Sequence, residues 1–494
     1  QIKGVNMSIQ TLSDNAIRRF YDICNIPHGS GNEKEIGQWL IQWAKNHQYD
    51  YQQDEVGNVI IQVPGKGTVK NQSPIVLQGH MDMVCVKDAA SDHDFLKDPI
   101  QTYIENGWMK AKHTTLGADN GIAIAMAMAI AEDQSLDHPP LELLFTVDEE
   151  RGLTGANFLK PGTLKGKILL NLDSEEEGEF TIGCAGGKDT HIELPLHFVN
   201  CKECRHIEIN ISGLTGGHSG MEINQNRANA IQLMARLLNH LFAVEAFRLV
   251  DIKAGLAHNA IPRDACAKIS VKPESFDLMM KQFTDFANVL IKEFQETEKN
   301  MSISFDEPVC ACSENNNQCD CTVIDEQDTC KIIQLLMALP HGVAFLSPSN
   351  PELVETSNNL AIVKIENQKL LILNSQRSSS ASRNDYITQK IESVARLAGA
   401  KVESGNGYPS WQPNWNSPLL KKCEEVYERL NQVKPKINVI HAGLECGIIG
   451  AKHEGMDMIS MGPNIRTPHS PEERMEMISV EKTMHFLTEL LKSF

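Results

Sequence analysis

Apolar runs that end in short polar clusters recur along this chain, and they predict buried strands with charged residues at their carboxyl ends. The stretch PIVLQGHMDMV at residues 74–84 shows the pattern most fully, since its apolar run is followed by His80, one spacer and Asp82. Functional sites of open α/β sheets form where the carboxyl ends of strands meet. A single His-x-Asp is more often structural than catalytic, so its meaning depends on how many later strands end in the same way.

Two later stretches repeat the pattern. LELLFTVDEERG at residues 141–152 is an apolar run that ends in three acids, among them Glu149 and Glu150, and ILLNLDSEEEGE at residues 168–179 ends in Asp173 and further acids. Neighbouring carboxylates repel one another unless cations or solvent relieve the repulsion. A solvated acidic loop would explain either cluster alone, but two clusters that both follow apolar strands favour a shared site.

Two more candidates lie outside these strand ends. TTLGADNGIAIAMAMAIAED at residues 114–133 predicts a buried helix with Asp119 near its start, where Asp is either an N-cap or a functional group. The late stretch IRTPHSPEER places His469 in a proline-flanked loop after a predicted strand.

The rest of the pattern gives the domain organisation. We predict a hairpin at residues 49–63 and further helices at residues 15–23, 33–45, 228–242, 276–298, 330–339, 385–399, 418–430 and 480–492. The pattern changes from about residue 191, where strands and helices begin to alternate in an α+β order that suggests two related halves. We therefore predict an α/β fold in which a catalytic domain with a mixed sheet flanked by helices, residues 7–194 and 401–494, is interrupted by an α+β domain, residues 195–400.

Composition narrows the class of protein. The 494 residues are 41% hydrophobic and carry a formal net charge of −18, which argues against nucleic acid or an anionic membrane as a partner. No apolar run reaches the roughly 18 residues of a membrane span. The first residues lack the apolar core of a signal peptide, with Met7 as a candidate start, and the 13 cysteines are scattered, so we expect reduced thiols and a cytoplasmic location.

Together, these polar residues are the types of ligand that hold a pair of divalent metal ions. The candidates are His80, Asp82, Asp119, Glu149, Glu150, Asp173 and His469. Imidazole with carboxylate suits zinc, with cobalt or manganese as alternatives. One acid must stay outside the coordination sphere to act as general base, and the adjacent pair of Glu149 and Glu150 offers both a ligand and a base.

The motifs GHMDMV, GADNG, TVDEERG, NLDSEEEGE and PHSPEE follow the order seen in the di-zinc metallopeptidases that include carnosinases, glutamate carboxypeptidases and acetylornithine deacetylase. The chain resembles this family over nearly its whole length, and most of all its bacterial dipeptidases that release a C-terminal histidine. Further shared motifs are CAGG, GGHSG, NAIPR, YPSWQP and HAGLECG.

The resemblance implies a role for each metal-site residue. Asp119 would bridge two zinc ions, His80 and Asp173 would complete one site, and Glu150 and His469 the other. Glu149 would be the general base and Asp82 would orient His80. The family also implies a cis peptide bond between Asp119 and Asn120.

In the family the inserted domain is a lid that contacts the substrate. His218 in GGHSG would polarise the scissile carbonyl or stabilise the oxyanion, and Asn259 and Arg377 would hold the substrate carboxylate. From the residues alone, Arg377 has a surface salt bridge as its alternative. Glu445 in HAGLECG is a weaker candidate, for the substrate amino group or for structure.

The cysteine pattern is not typical of the family. VCACSENNNQCDC at residues 309–321 and the Cys201-x-x-Cys204 pair could clasp a metal, but we favour polar loops with incidental thiols and give them no part in the mechanism.

The sequence thus predicts a cytoplasmic di-zinc dipeptidase that acts on Xaa-His dipeptides and is a homodimer. A related amidohydrolase, such as an N-acyl amino-acid deacylase, would keep the same ligands and base. A metal-binding protein without catalysis would have lost a ligand or the base, and none is lost here.

Overall fold

The computed structural model describes residues 2–201, 205–307 and 321–494. The chain divides into two compact units: the first comprises Gln1–Cys184, Trp411–Ile440 and Leu444–Phe494, and the second comprises Ala185–Ser410 and His441–Gly443. The cysteine-rich stretch up to residue 320 and Cys204 lie outside the described residues.

Eleven α-helices occur among the described residues. They are α1 (Ile2–Cys24), α2 (Lys34–Asn46), α3 (Ala118–Glu132), α4 (Thr154–Phe158), α5 (Ala230–Val244), α6 (Phe276–Glu293), α7 (Glu326–Ala338), α8 (Ala381–Leu397), α9 (Pro418–Asn431), α10 (Glu445–Lys452) and α11 (Met477–Lys492). Within the same ranges, no helix combines the length and the apolar content needed to span a bilayer.

The strands in the same ranges are β1 (Asp50–Gln53), β2 (Val59–Val63), β3 (Ile75–His80), β4 (Thr102–Glu105), β5 (Trp108–Ala111), β6 (Leu141–Thr146), β7 (Ile168–Asn171), β8 (Glu179–Cys184), β9 (Gly186–Pro195), β10 (Phe198–Cys201), β11 (Arg205–Ser212), β12 (Gly217–His218), β13 (Arg248–Ala254), β14 (Ala260–Ile261), β15 (Ala265–Val271), β16 (Ser302–Asp306), β17 (Cys321–Ile324), β18 (Gly342–Leu346), β19 (Val354–Glu366), β20 (Lys369–Ser378), β21 (Lys401–Tyr408), β22 (Lys436–Ile440), β23 (Asp457–Ser460), β24 (Ile465–Arg466) and β25 (Arg474–Glu476).

The first unit is built on an eight-stranded mixed sheet with the order β1-β2-β6-β3-β7-β23-β8-β22. β3 pairs in parallel with both β6 and β7 and is buried along its whole length, as its apolar run predicts. α3 packs against β3 and against α1. Gly79 permits this close approach, because a Cβ there would lie 2.7 Å from the Cβ of Ala123.

The second unit is built on a nine-stranded antiparallel sheet with the order β16-β11-β15-β13-β19-β20-β9-β21, to which β18 adds beside β19. Alternate residues of these strands and the apolar faces of α5, α6, α7 and α8 form one hydrophobic core, which includes Ile209, Leu238 and Ile372. Strands from both predicted halves lie in this one sheet, and an internal duplication stays a prediction.

The predicted boundaries at residues 195 and 400 need correction. β9 pairs with β20 and β21, so residues 186–195 and 401–408 belong to the second unit rather than to the first. Both strands are rich in glycine and polar residues, and this weakens the alternation that reveals a strand. The hairpin formed by β1 and β2 is confirmed, as is the α/β class with a mixed sheet.

Candidate metal centre

β3 delivers His80 to the carboxyl edge of the first sheet. Its imidazole is 1% exposed, and Nδ1 lies 2.9 Å from the carbonyl oxygen of Asp82 and 3.3 Å from that residue's Oδ1. With Nδ1 held in this way, Nε2 is the nitrogen that points to other ligands. The backbone N–H of His80 also donates to Oδ1 of Asn120 at 3.1 Å.

Asp82 connects His80 to the acidic loop that follows β6. Its carboxylate accepts hydrogen bonds from the backbone N–H groups of Glu149, at 2.9 Å, and Glu150, at 3.2 Å, and from the hydroxyl of Ser30 at 2.8 Å. Burial alone would raise the pKa of Asp82, but the His80 imidazole and these donors lower it to about 2. Asp82 therefore stays ionised and fixes both the imidazole and the loop.

Asp119 lies between the two imidazoles. Its Oδ1 is 3.1 Å from Nε2 of His80, and its Oδ2 is 3.2 Å from Nε2 of His469. The expected cis peptide bond between Asp119 and Asn120 is present. Each carboxylate oxygen thus faces a different histidine, as a ligand shared by two cations requires.

Two groups of side chains, each able to hold an ion, share Asp119. One consists of His80, Asp119 and Asp173, the other of Asp119, Glu150 and His469, and the candidate ligand atoms of each group lie within 4.8 Å of one another. His80 Nε2 is 3.5 Å from Asp173 Oδ1, and His469 Nε2 is 2.8 Å from Glu150 Oε1. Two atoms bound tetrahedrally to one zinc are about 3.3 Å apart, given bond lengths of about 2.0–2.1 Å.

The electrostatics of the cluster also fit cations. Burial raises the pKa of Asp173 to about 6, with a further contribution from neighbouring acids, and it raises the pKa of Glu149 well above its ordinary range. The hydrogen bond to Asp119 and the adjacent Glu150 carboxylate raise the pKa of His469 to about 11. Glu150 Oε1 is buried and, despite its closeness to His469, accepts no hydrogen bond of acceptable geometry in the described chain. Divalent cations would reduce the repulsion among these carboxylates and would give Glu150 Oε1 a binding partner.

Sequence reasoning missed one residue of this centre, Glu473. It is 2% exposed, and its carboxylate accepts hydrogen bonds from the backbone N–H groups of Leu116, at 2.7 Å, Gly117, at 3.0 Å, and Asp119, at 3.2 Å. It follows His469 by four residues, so one short loop supplies both a candidate ligand and this clamp. No side-chain pattern marks such a role, because all three partners are backbone groups.

Glu445 lies on the same face of the sheet as His80. Its Oε2 accepts hydrogen bonds from Nε2 of Gln78, at 2.5 Å, and from the hydroxyl of Thr146, at 2.8 Å. Gln78 precedes His80 by two residues, and Thr146 is directly paired with His80. These bonds favour a structural role for Glu445, the second of its two predicted alternatives.

The three predicted lid residues lie in the second unit. His218 on β12 accepts hydrogen bonds at Nδ1 from the backbone N–H groups of Gly220 and Met221, both at 3.2 Å. Burial and the charge of Arg377 lower its pKa, so the neutral ring carries its proton on Nε2. Asn259 lies next to β14, which pairs with β12, and its backbone oxygen accepts a hydrogen bond from Ser219 N–H at 2.8 Å.

Arg377 is not a surface ion pair, so that alternative is wrong. The residue is 7% exposed, and its Nη1 donates to the hydroxyl of Tyr408 at 2.8 Å. Nε makes no hydrogen bond, and the guanidinium forms no ion pair with a carboxylate of the described ranges. A buried cation without an acidic partner is the expected feature of a site for an anionic ligand.

Comparison with known proteins agrees with this geometry. Residues 76–493 match the sequence profile of Peptidase family M20/M25/M40. The chain belongs to this family. It is 40% identical over 480 residues, 96% of each chain, to the cytosol non-specific dipeptidase of Escherichia coli K12.

Two solved peptidase structures are similar as well. The aminoacylhistidine dipeptidase of Vibrio alginolyticus matches with a TM-score of 0.88 and 37% identity, over 97% of this chain and 96% of that one. The aminopeptidase PepT of Bacillus cereus, 13% identical, matches with a TM-score of 0.55 over 97% of this chain and 98% of that one, which extends the likeness in fold alone.

Proposed function

We propose that this M20 protein is a metallodipeptidase that hydrolyses the single peptide bond of a dipeptide, with histidine as a favoured leaving residue. The observation that carries the proposal is the position of Asp119, whose two oxygens each face a different imidazole. The names of the two similar proteins support dipeptides as the substrate class, one without and one with a preference for histidine.

The residues that would hold the metals form two groups around Asp119. His80 and Asp173 would complete one site, and Glu150 and His469 the other. We propose zinc as the native metal, with cobalt or manganese as alternatives, because imidazole and carboxylate suit all three. When bound, two such cations acidify a water molecule and stabilise the charge that develops on the scissile carbonyl oxygen.

Glu149 is proposed as the general base. Its carboxylate would accept a proton from the attacking water and then deliver that proton to the nitrogen of the leaving amine. Its backbone N–H is fixed by Asp82, so the loop that carries Glu149 is tied to the residue that orients His80. Neighbouring positions on this loop let Glu150 serve as a ligand while Glu149 stays outside the coordination sphere.

The second unit would supply the substrate contacts. Because Nδ1 of His218 accepts two backbone hydrogen bonds, Nε2–H is the group that can donate to the developing oxyanion. Arg377, buried and without an acidic partner in the described chain, would pair with the substrate carboxylate, and Asn259 would donate a further hydrogen bond to it.

The experiment measures the hydrolysis of a panel of substrates by the metal-reconstituted wild-type protein and by the variant Glu149→Ala. The panel holds Ala-His, β-Ala-His, Gly-Gly-Gly and N-acetyl amino acids. We expect dipeptide cleavage that falls by at least about a thousandfold in Glu149→Ala while two metals stay bound. The exposed Glu176, whose carboxylate pairs with Arg466, gives the matched control Glu176→Ala, which keeps full activity.

Other outcomes would change the assignment. Cleavage of N-acetyl amino acids alone would favour a deacylase with the same metal site. Bound metal without any hydrolysis would favour a metal-binding protein. Dipeptide cleavage that persists in Glu149→Ala would contradict the proposed base.

We also propose a cytoplasmic homodimer. The relative from Escherichia coli is named a cytosol enzyme, and the buried cysteines Cys24, Cys184, Cys423 and Cys446 are free thiols, as expected in a reducing compartment. Sedimentation equilibrium tests the dimer, because a single species at the monomer mass, 54.9 kDa, would contradict it.

A further inference from the structure

Arg377, Gly187 and Tyr408 form a row across three neighbouring strands of the second unit. Arg377 on β20 is the direct partner of Gly187 on β9, and Gly187 is the direct partner of Tyr408 on β21. Laterally paired residues project from the same face of a sheet. Because Gly187 has no side chain, the phenol extends over β9, and its hydroxyl accepts a hydrogen bond from Arg377 Nη1 at 2.8 Å.

Two glycines hold the phenol ring at its opposite edges. A Cβ on Gly187 would lie 2.5 Å from Cε1 of Tyr408, and a Cβ on Gly443 would lie 2.7 Å from its Cε2. Both distances are too short for a side chain, so each position requires glycine while the ring stays there. Gly443 belongs to the short segment that joins the second unit, His441–Gly443. The ring therefore has little freedom to move its hydroxyl away from Arg377.

The chemistry of the partner matters as much as its position. A phenol oxygen is a neutral acceptor, so it satisfies one N–H of the guanidinium without cancelling the positive charge. A carboxylate at this place would neutralise Arg377 and compete with an anionic ligand. A guanidinium pairs with a carboxylate through two parallel hydrogen bonds only when the two planes are aligned.

We propose that Tyr408 is a positioning residue for substrate binding, which orients the guanidinium of Arg377 for the C-terminal carboxylate of the dipeptide while leaving its charge available. This inference rests on the proposed function, in which Arg377 pairs with that carboxylate. The YPSWQP motif, given no role by the sequence, thereby gains one for its first residue.

The test compares Tyr408→Phe with the wild-type enzyme on Ala-His and on Ala-His amide, which lacks the carboxylate. We expect the KM for Ala-His to rise about tenfold, the size expected for one hydrogen bond to a charged group, with kcat changed by less than about twofold. The same substitution leaves kcat/KM for the amide unchanged. A residue that only stabilised the fold would affect both substrates alike.

A double-mutant cycle isolates the pair. In an Arg377→Ala background, Tyr408→Phe causes no further rise in KM, because the group that it orients is gone. Gly187→Ala, which fills the space under the ring, is expected to reproduce the KM effect of Tyr408→Phe. The matched control is Tyr386→Phe, a tyrosine of the same unit that is 55% exposed, and it leaves KM unchanged.

The possible failures are distinguishable. An unchanged KM in Tyr408→Phe, or an equal rise in the Arg377→Ala background, overturns the inference alone. An unchanged KM in Arg377→Ala removes the proposed role of Arg377, and the inference with it. Wild-type protein that hydrolyses no dipeptide overturns the proposed function itself.

Discussion

Glu473 and Asp119, 354 residues apart in the chain, are joined by a hydrogen bond of 3.2 Å from the backbone N–H of Asp119 to the Glu473 carboxylate. The same carboxylate accepts the N–H groups of Leu116 and Gly117, so it fixes the segment that leads into the central candidate ligand. Since His469 lies in the loop that carries Glu473, this contact joins the two segments that carry the candidate ligands Asp119 and His469.

We predict that Glu473→Gln weakens metal binding by about ten- to a hundredfold, the range typical of residues that orient metal ligands. The amide keeps the size of the side chain but turns one acceptor into a donor that opposes a backbone N–H. The dissociation constants of the two sites, measured by equilibrium dialysis against buffered zinc, check this. The exposed neighbour gives the control Glu472→Gln, and equal constants for the two variants would contradict the prediction.

Removal of metal should destabilise the protein. Without cations, the buried Asp173 and Glu149 keep negative charges that are poorly compensated or must bind protons, since burial raises the pKa of both carboxyls. A ligand at a hundred times its dissociation constant stabilises the folded state by about 2.7 kcal/mol. We therefore expect a lower Tm after exhaustive chelation and recovery when zinc is restored. A Tm that does not respond to either step would speak against a structural contribution of the site.

Much of the candidate metal centre could be predicted from sequence because three of its candidate ligands, His80, Glu150 and Asp173, lie at or just after the ends of apolar strands. The apolar runs before His80 and Asp173 predict buried strands, and these two strands do pair in parallel. Because the carboxyl ends of parallel strands lie at the same edge of a sheet, the side chains that follow them lie close together. The motif order then implied which acid is shared and which is the base. Those roles for Glu149 and Asp82 stay predictions until variants are measured.

The roles of Tyr408 and Glu473 and the domain boundaries could not be predicted, because they depend on contacts that no sequence pattern indicates. Tyr408 gains its position from strand register and from two glycines, and β9 and β21 lack the apolar alternation that would have revealed them. Glu473 acts on backbone groups only. The domain boundaries were misplaced by about ten residues for the same reason, since they depend on where those polar strands pair.

The contact between β3 and α3 gives a prediction for stability. A Cβ on Gly79 would lie 2.5 Å from Oδ1 of Asn120 and 2.7 Å from the Cβ of Ala123, so helix and strand must separate to admit it. We expect Gly79→Ala to lower the free energy of unfolding by about 1–3 kcal/mol, as overpacking does. Urea unfolding measures this. Gly405→Ala is the control, because no atom lies within 4 Å of its added Cβ, and equal losses in the two variants would refute the packing argument.

The last prediction concerns acid and the second unit. Burial lowers the pKa of His341 from 6.5 to about 4. Its Nδ1 accepts hydrogen bonds from Nδ2 of Asn229, at 3.1 Å, and from the backbone N–H of Leu360, at 3.3 Å, which a proton on Nδ1 would oppose. In the unfolded chain the ring binds a proton below pH 6.5, whereas in the folded chain it stays neutral down to about pH 4.

The stability that His341 contributes is therefore complete above pH 6.5 and declines as the pH falls toward 4, by at most about 3 kcal/mol, since one pKa unit corresponds to about 1.4 kcal/mol. We expect His341→Asn, which keeps an acceptor oxygen, to be less stable than wild type at pH 7.5 but to lose less stability between pH 7.5 and 5. Urea midpoints at both pH values give the comparison, with the exposed His191→Asn as control. The metal centre is the same in all three proteins. Its effect on stability at low pH therefore cancels when the stability changes of the variants are compared with that of wild type. Parallel losses for wild type and His341→Asn would show that this histidine does not sense acid in the folded protein.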